Sequence, residues 1–186
     1  MNEVNPIRSK EQINEVIKYF IDFNKQREGF IFVVGIYTGL RIGDILNLTH
    51  EDIKEGTAKI KEQKTGKIKR FVFNSQVLEY YNKFLSGGSG HIFVSEGNRS
   101  KGKVWSKVHA WKLIKAAAAY VGINEEVGTH TLRKTFGYFT YQATKDITLV
   151  QKLLNHSSPA TTLRYIGITQ TQLDDIYTNL NFNLAF

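Results

Sequence analysis

"TAKIKEQKTGKIKRFVFN", residues 57–74, alternates polar and apolar side chains on both sides of the turn "KTGK" at 64–67. A period of two is the signature of a half-buried strand, and two such runs about a glycine-containing turn form an antiparallel hairpin. The expected strands run over about 57–63 and 67–73, with lysines crowding the outer face. The rest of the chain reads mostly as helix, so the fold class is mainly α with one small antiparallel β-sheet (α+β).

Upstream, "SKEQINEVIKYFIDF" opens with Ser9 as N-cap and Gln12 three residues on, then places Ile13, Val16, Ile17, Phe20 and Ile21 at helical spacing. The apolar run "GFIFVVGIYTGL", Gly29 to Leu40, reads as a buried helix stopped by Gly39, and "IGDILNL" begins a short helix at once. Arg41 therefore lies at a helix junction. Downstream of the hairpin come a helix through "SQVLEYYNKFL", the loop "SGGSG", a short strand "HIFV", a basic loop and an Ala-rich helix from about Val104 to Val121. Four helical pieces follow. "THTLRKTFGYFTYQAT" takes Thr129 as N-cap, and "DITLVQKLLN" is capped by Asp146 and closed by Asn155. The third is capped by Ser158, with Pro159 at its first position and Gly167 at its stop. The fourth, "TQTQLDDIYTNL", has its own box in Thr169 and Gln172.

A chain of 186 residues suits a single domain, and a formal charge of +8 attracts nucleic acid or acidic membranes. Having no cysteine excludes disulfides, thiolate catalysis and Cys-ligated metals. The longest apolar stretch is too short to span a bilayer, and "MNEVNPIRSKEQ" lacks a signal core, so an intracellular, cytoplasmic and nucleoid-associated protein is expected. The five histidines show no paired-ligand spacing, so no metal is expected. "GNRSKGKV", Gly97 to Val104, nearly matches a phosphate-binding loop, but Val104 has no hydroxyl for magnesium and no hydrophobic strand ending in Asp follows. Its cations Arg99, Lys101 and Lys103, with Lys107 beyond, are expected on a nucleic-acid backbone, as are Lys67, Lys69 and Arg70 of the hairpin.

Two short motifs carry chemistry only in company. In "HTLR", His130 and Arg133 share a helix face beside unpaired backbone amides, which suits a phosphate, although an exposed histidine and a surface arginine would give the same spacing. In "GLRIGD", Asp44 stands three residues after Arg41 and could orient it, or form an ordinary surface pair.

Taken in order, Arg41 in "TGLRIGDIL", Lys64 in "KTGK", His130 and Arg133 in "HTLRKT", His156 in "LLNHSS" and Tyr165 in "TTLRYI" resemble the catalytic domain of the tyrosine recombinase (phage integrase) family, from about Ile7 to Asn181. The resemblance implies the DNA breaking-rejoining catalytic fold and a transesterification on double-stranded DNA that needs neither metal nor ATP, hence no cofactor. Tyr165 would attack the scissile phosphate, forming a 3′-phosphotyrosyl bond and freeing a 5′-hydroxyl. His130 would accept the tyrosine proton, Arg41, Arg133 and His156 would hold the non-bridging oxygens, and Lys64 would protonate the leaving oxygen. Asp44 would orient Arg41 or His130.

The sequence departs from the family's pattern at Asn155, where glycine is usual before the histidine, and at the N-terminus, where helix one begins within ten residues of Met1. A single catalytic domain over 1–186 is expected, without the N-terminal core-binding domain. Both a fragment of a longer integrase and a small stand-alone recombinase, like those that invert promoter segments of fimbrial operons, fit that expectation. The resemblance further implies tetrameric assembly on DNA, with a C-terminal helix over about 169–181 docking into a neighbouring protomer, and leaves room for an accessory DNA-bending protein. A non-catalytic DNA-binding regulator and a type IB topoisomerase-like strand relaxer are the competing readings of the same scaffold.

Overall fold

The computed structural model describes residues 4–64, 66–98 and 100–167, with Asp174 and residues 177–179. Its elements are α1 (Lys10–Asp22), α2 (Gln26–Thr38), α3 (Ile42–Leu46), α4 (His50–Lys54), β1 (Thr57–Lys61), β2 (Ile68–Val72), α5 (Ser75–Phe84), α6 (Lys107–Tyr120), α7 (Thr129–Thr144), α8 (Ile147–Leu153) and α9 (Pro159–Ile166). The fold is mostly helical with a two-stranded antiparallel sheet.

Helix α2 is apolar on every side, which obliges it to be surrounded. It buries Phe30, Ile31, Phe32, Val33 and Val34, and α1, α3, α5, α6 and α7 pack against it. Phe30 stacks on Tyr80 and Phe93 with ring centroids 5.9 and 6.1 Å apart. The approach to α7 is close because Gly35 has no side chain, and a Cβ there would lie 2.6 Å from Leu132 Cδ1.

The end of α2 aims the backbone at the site. Gly39 takes φ 60° in the left-handed region, and a Cβ on it would strike the Phe136 ring. Gly39→Ala is therefore expected to destabilise the protein by about 2–4 kcal/mol, combining the left-handed penalty with overpacking. A lower urea midpoint at unchanged m-value would show it, and an unchanged midpoint would mean that the junction yields freely.

The hairpin pairs Thr57 with Val72 through Lys61 with Ile68. Its strands end at Lys61 and begin at Ile68, short of the expected 63 and 67, and Glu62, next on the inner face, is fully buried with its N–H bonded to Lys67 O at 2.9 Å. Lys59, Lys61 and Arg70 lie on the outer face. Three other expectations are revised. The strand "HIFV" is only two isolated bridges, Thr49 to His91 and Val94 to Val104, since each neighbouring segment meets it at one residue. Gly128, not Thr129, is the N-cap of α7, because the Thr131 hydroxyl reaches back to the Gly128 N–H at 3.0 Å. The Ala-rich helix starts at Lys107, where Ser106 caps it. Helix α4 was missed, although Thr49 and Asp52 form a full capping box. The helix expected over 169–181 lies outside the described residues apart from Asp174 and 177–179, which are helical.

Beside the main core lies a second, small cluster of Val150, Leu154 and Ile166, joined by Phe136, Tyr141, Ile147 and Tyr165. It seats α8 and α9 on α7. The segment before α1 straps this arrangement: Ile7 N donates to Thr135 Oγ1 at 2.9 Å, and Arg8 Nη2 donates to Gly167 O at 3.1 Å. Among the described residues no helix is long and apolar enough to cross a membrane.

Candidate active site

Arg133 organises the site. It is one of the largest fully buried side chains, and its guanidinium bridges two helix ends, Nη1 donating to Gly39 O and Nη2 to Leu154 O. These carbonyls close α2 and α8, where a helix leaves acceptors without intrahelical partners. Burial, and then the nearby Arg41, push the Arg133 pKa down to about 10, which leaves it charged at neutral pH.

Arg41 caps α3 from the other side of the Gly39 turn. Its Nη1 lies 2.8 Å from Glu62 Oε1 in an ion pair and has no hydrogen-bond partner among the described residues. Glu62 Oε2 in turn accepts from Asn155 Nδ2 at 3.2 Å, so the buried carboxylate ties the hairpin to the turn that carries His156. Asn155 sits at φ 55°, as the end of a helix requires, and its side chain adds a link that a glycine could not make.

Asp44 does not pair with Arg41. Its Oδ1 accepts from Gln63 N at 2.9 Å, holding the hairpin tip to α3, because Glu62 occupies the place beside the guanidinium. Arg41, Asp44, Gln63, Lys64, Lys107, His130 and Arg133 line one open cavity of about 520 Å³. Lys64 is on its rim, at the exposed end of the hairpin.

Tyr165 approaches from α9. Its hydroxyl is 3.2 Å from His130 Nδ1, the His156 ring meets its ring edge-on at 4.5 Å, and Lys134 Nζ stands 5.6 Å from the ring centroid. Burial chiefly, with Arg133, Lys64, Arg41 and Lys134, lowers the His130 pKa. Burial, Arg133 and Arg41 bring His156 down to about 4. Both rings are therefore neutral at pH 7, and His130 Nδ1 can offer a lone pair to the tyrosine proton.

These depressed values set a pH dependence. Between about pH 4 and the ordinary 6.5 the unfolded chain binds more protons at His156 than the folded one, so stability falls as pH is lowered through that window. In His156→Gln the decline of Tm from pH 7 to 4 is expected to be shallower than in wild type. Parallel declines would show that His156 is not a source of it.

The six residues Arg41, Lys64, His130, Arg133, His156 and Tyr165 converge on this one region. The expected DNA contacts scatter more widely. Lys67, Arg70, Lys101, Lys103 and Lys107 are exposed, and Arg99 lies outside the described residues. Lys69 is different: it faces inward and donates from Nζ to Thr38 O at 3.0 Å, one residue before the carbonyl that holds Arg133. Burial and then Arg133 lower its pKa to about 8.

Glu62, Lys134 and Thr162 were missed by sequence reasoning. Glu62 was within reach, since the period of two puts residue 62 on the same face as Ala58 and Ile60, where an acid is out of place.

A model described as the phage integrase family matches residues 8–172. The chain belongs to the phage integrase family. "Probable integrase/recombinase YoeC" of Bacillus subtilis (strain 168) is 41% identical over 171 residues, which is 91% of this chain and 93% of that protein. Tyrosine recombinase XerD of Halalkalibacterium halodurans is 28% identical over 154 residues, with 77% of this chain covering 50% of that protein. The chain thus spans nearly all of one relative and about half of the other. The crystal structure of XerA recombinase superposes with a TM-score of 0.75 at 23% identity, over 98% of this chain and 68% of that one. XerH bound to palindromic difH substrate gives 0.75 at 20% identity, over 96% and 53%. These likenesses establish the fold, and membership of the phage integrase family sets the chain beside proteins named as integrases and tyrosine recombinases.

Proposed function

We propose that this protein cleaves and rejoins double-stranded DNA through a 3′-phosphotyrosyl intermediate at Tyr165, and that the residues of the cavity divide the work as follows. The Tyr165 oxygen attacks the scissile phosphorus and its proton passes to His130 Nδ1. The bond from phosphorus to the 5′-oxygen breaks, and Lys64 supplies that oxygen with a proton. Arg41, Arg133 and His156 donate to the non-bridging oxygens, whose charge grows in the transition state. Reversal by a 5′-hydroxyl from another strand completes the exchange, with the phosphodiester bond energy held in the protein linkage.

The observation that carries this reading is the 3.2 Å contact of Tyr165 with His130 at the edge of a cavity lined by Arg41, Lys64 and Arg133. A tyrosine of ordinary pKa about 10 is a weak nucleophile at pH 7 and needs an acceptor beside it. Burial and then the nearby cations lower the His130 pKa, and when a phosphate anion neutralises Arg41 and Arg133 the cations' repulsion of a proton on His130 falls and the ring becomes a better base.

The exposed Lys67, Arg70, Lys101, Lys103 and Lys107 supply backbone contacts in this reading, and their loss should lower affinity without moving the cleavage point. Self-association on DNA, up to a tetramer with or without an accessory DNA-bending protein, rests on the helical spacing of Leu173, Ile176, Tyr177 and Leu180 and on the exposure of Tyr177.

The test is a duplex carrying a nick next to the cleavage point, drawn from DNA flanking the gene, so that the short 5′ fragment diffuses away and traps the intermediate. A protein band joined to a DNA 3′ end on a denaturing gel, with the linked nucleotide mapped to the peptide containing Tyr165, is the expected result. Tight binding with no adduct on any such duplex would overturn the catalytic reading.

A further inference from the structure

The division of work above asks His156 to donate a hydrogen bond, and an imidazole can do so from Nε2 only if it is protonated on both nitrogens or carries its single hydrogen on Nε2. The first is disfavoured here, since burial beside Arg133 and Arg41 resists a positive charge on the ring. Which nitrogen carries the single hydrogen is then decided by whatever faces Nδ1.

Thr162 faces it. Its Oγ1 lies 3.0 Å from His156 Nδ1, and the residue is completely buried. Thr162 precedes Tyr165 by three positions on α9, so both side chains fall on the helix face that meets the imidazole. The hydroxyl has one hydrogen and two neighbours to give it to, His156 Nδ1 at 3.0 Å and Ser158 O at 3.4 Å. Donation to Ser158 O would force Nδ1 to carry the ring hydrogen and leave a lone pair on Nε2, which would repel a phosphate oxygen. Donation to Nδ1 leaves the hydrogen on Nε2. The 3.0 Å separation suits a bond in either direction, but 3.4 Å to Ser158 O exceeds the usual range for an O–H···O bond, which favours placing the hydroxyl hydrogen toward Nδ1.

We infer that Thr162 is a positioning residue whose hydroxyl donates to His156 Nδ1 and fixes the neutral Nε2–H tautomer, so that His156 meets the phosphate as an uncharged hydrogen-bond donor. This rests on the recombinase reading for its consequence, but the tautomer is a property of the DNA-free protein. The backbone around the ring supports a fixed pose, with His156 N donating to Gln151 O at 3.0 Å and Gln151 Nε2 donating to His156 O at 3.2 Å.

The experiment is nitrogen-15 NMR of ring-labelled histidines in the full chain, with His156 assigned by its disappearance in His156→Gln, run beside the nicked-duplex cleavage assay. Wild type is expected to show the Nε2–H pattern. Thr162→Ser should keep that tautomer and cleave within about threefold of wild type. Thr162→Val matches threonine in shape and removes only the hydroxyl, so it should lose the Nε2–H preference and cleave on the order of 10²-fold more slowly, the loss of one donor to a developing oxyanion. An Nδ1–H pattern in wild type, or a valine variant that retains either the tautomer or the cleavage rate, would overturn the inference. If wild type forms no adduct at all, the recombinase reading fails separately and the NMR pattern still decides the tautomer.

Discussion

Tyr165→Phe is expected to abolish covalent capture of nicked DNA, by on the order of 10⁴-fold or more, while leaving the fold and the affinity for DNA in place. The substitution removes one oxygen. The ring remains in contact with His156 and Lys134, and the small core beneath α9 keeps its packing. One half-exposed hydrogen bond to His130 is lost, worth about 1 kcal/mol at most. Arg41, Arg133 and Lys64 are untouched, so the cations proposed to hold a phosphate stay as they are. A loss of this size without a loss of binding separates a nucleophile from a helix-face aromatic, because removing a nucleophile removes the covalent path itself. An adduct that survives in the phenylalanine variant would place the nucleophile elsewhere and undo the assignment.

Arg133→Ala should be nearly as severe for chemistry and far worse for stability. The side chain is 1% exposed and fills space between three helices, and its departure leaves the carbonyls of Gly39 and Leu154 without their donor. Each orphaned carbonyl is worth about 1–3 kcal/mol, so a destabilisation of about 3–5 kcal/mol is expected. That is a large part of the about 5–15 kcal/mol by which a domain of this size is stable. Arg133→Lys separates the two roles. An ammonium preserves the charge but cannot bridge two carbonyls from separate helix ends in one fixed plane. It should recover part of the stability yet remain on the order of 10²-fold or more below wild type in adduct formation. Denaturant unfolding of the variants alongside single-turnover cleavage would check both halves. If the lysine variant cleaved at the wild-type rate, the guanidinium geometry would have no part in the reaction.

Much of this was legible in the chain because the signals are local. The caps at Ser9, Asp146 and Ser158 and the left-handed stops at Gly39, Asn155 and Gly167 are decided within a few residues, and the structure has each of them. The hairpin followed from its period of two. The failures are where a distant partner decides. Asp44 and Glu62 are both acids near Arg41 in space, but only Asp44 is near it in sequence, and the folded chain gives Arg41 to Glu62. Lys69 reads as one more lysine of a basic hairpin, yet strand parity turns it inward beneath the arginines, where Thr38 O receives it. Lys134 follows Arg133 directly and carries no mark that its ammonium will stand over Tyr165. The "HIFV" strand failed for a similar reason, since four suitable residues make a strand only if a partner runs beside them.

If Tyr165 is the nucleophile, the separation of the apolar interior into a large cluster around α2 and a small one beneath α8 and α9 predicts for it an opening equilibrium of its own. His130 and Arg133 belong to α7, whose Leu132 is anchored in the large cluster, whereas Tyr165 rides on Val150, Leu154 and Ile166. The hydrogen bond from tyrosine to histidine therefore spans a seam between two cooperative units of unequal strength, and a small unit can detach without global unfolding. While it is detached, Arg41 and His130 stay in place, whereas Arg133 gives up its bond to Leu154 O and His156 leaves with the turn that follows α8. In the proposed reaction the fraction of molecules able to cut is then the closed fraction of that small unit, and faster amide exchange in α8 and α9 than in α2 is how that fraction would be read.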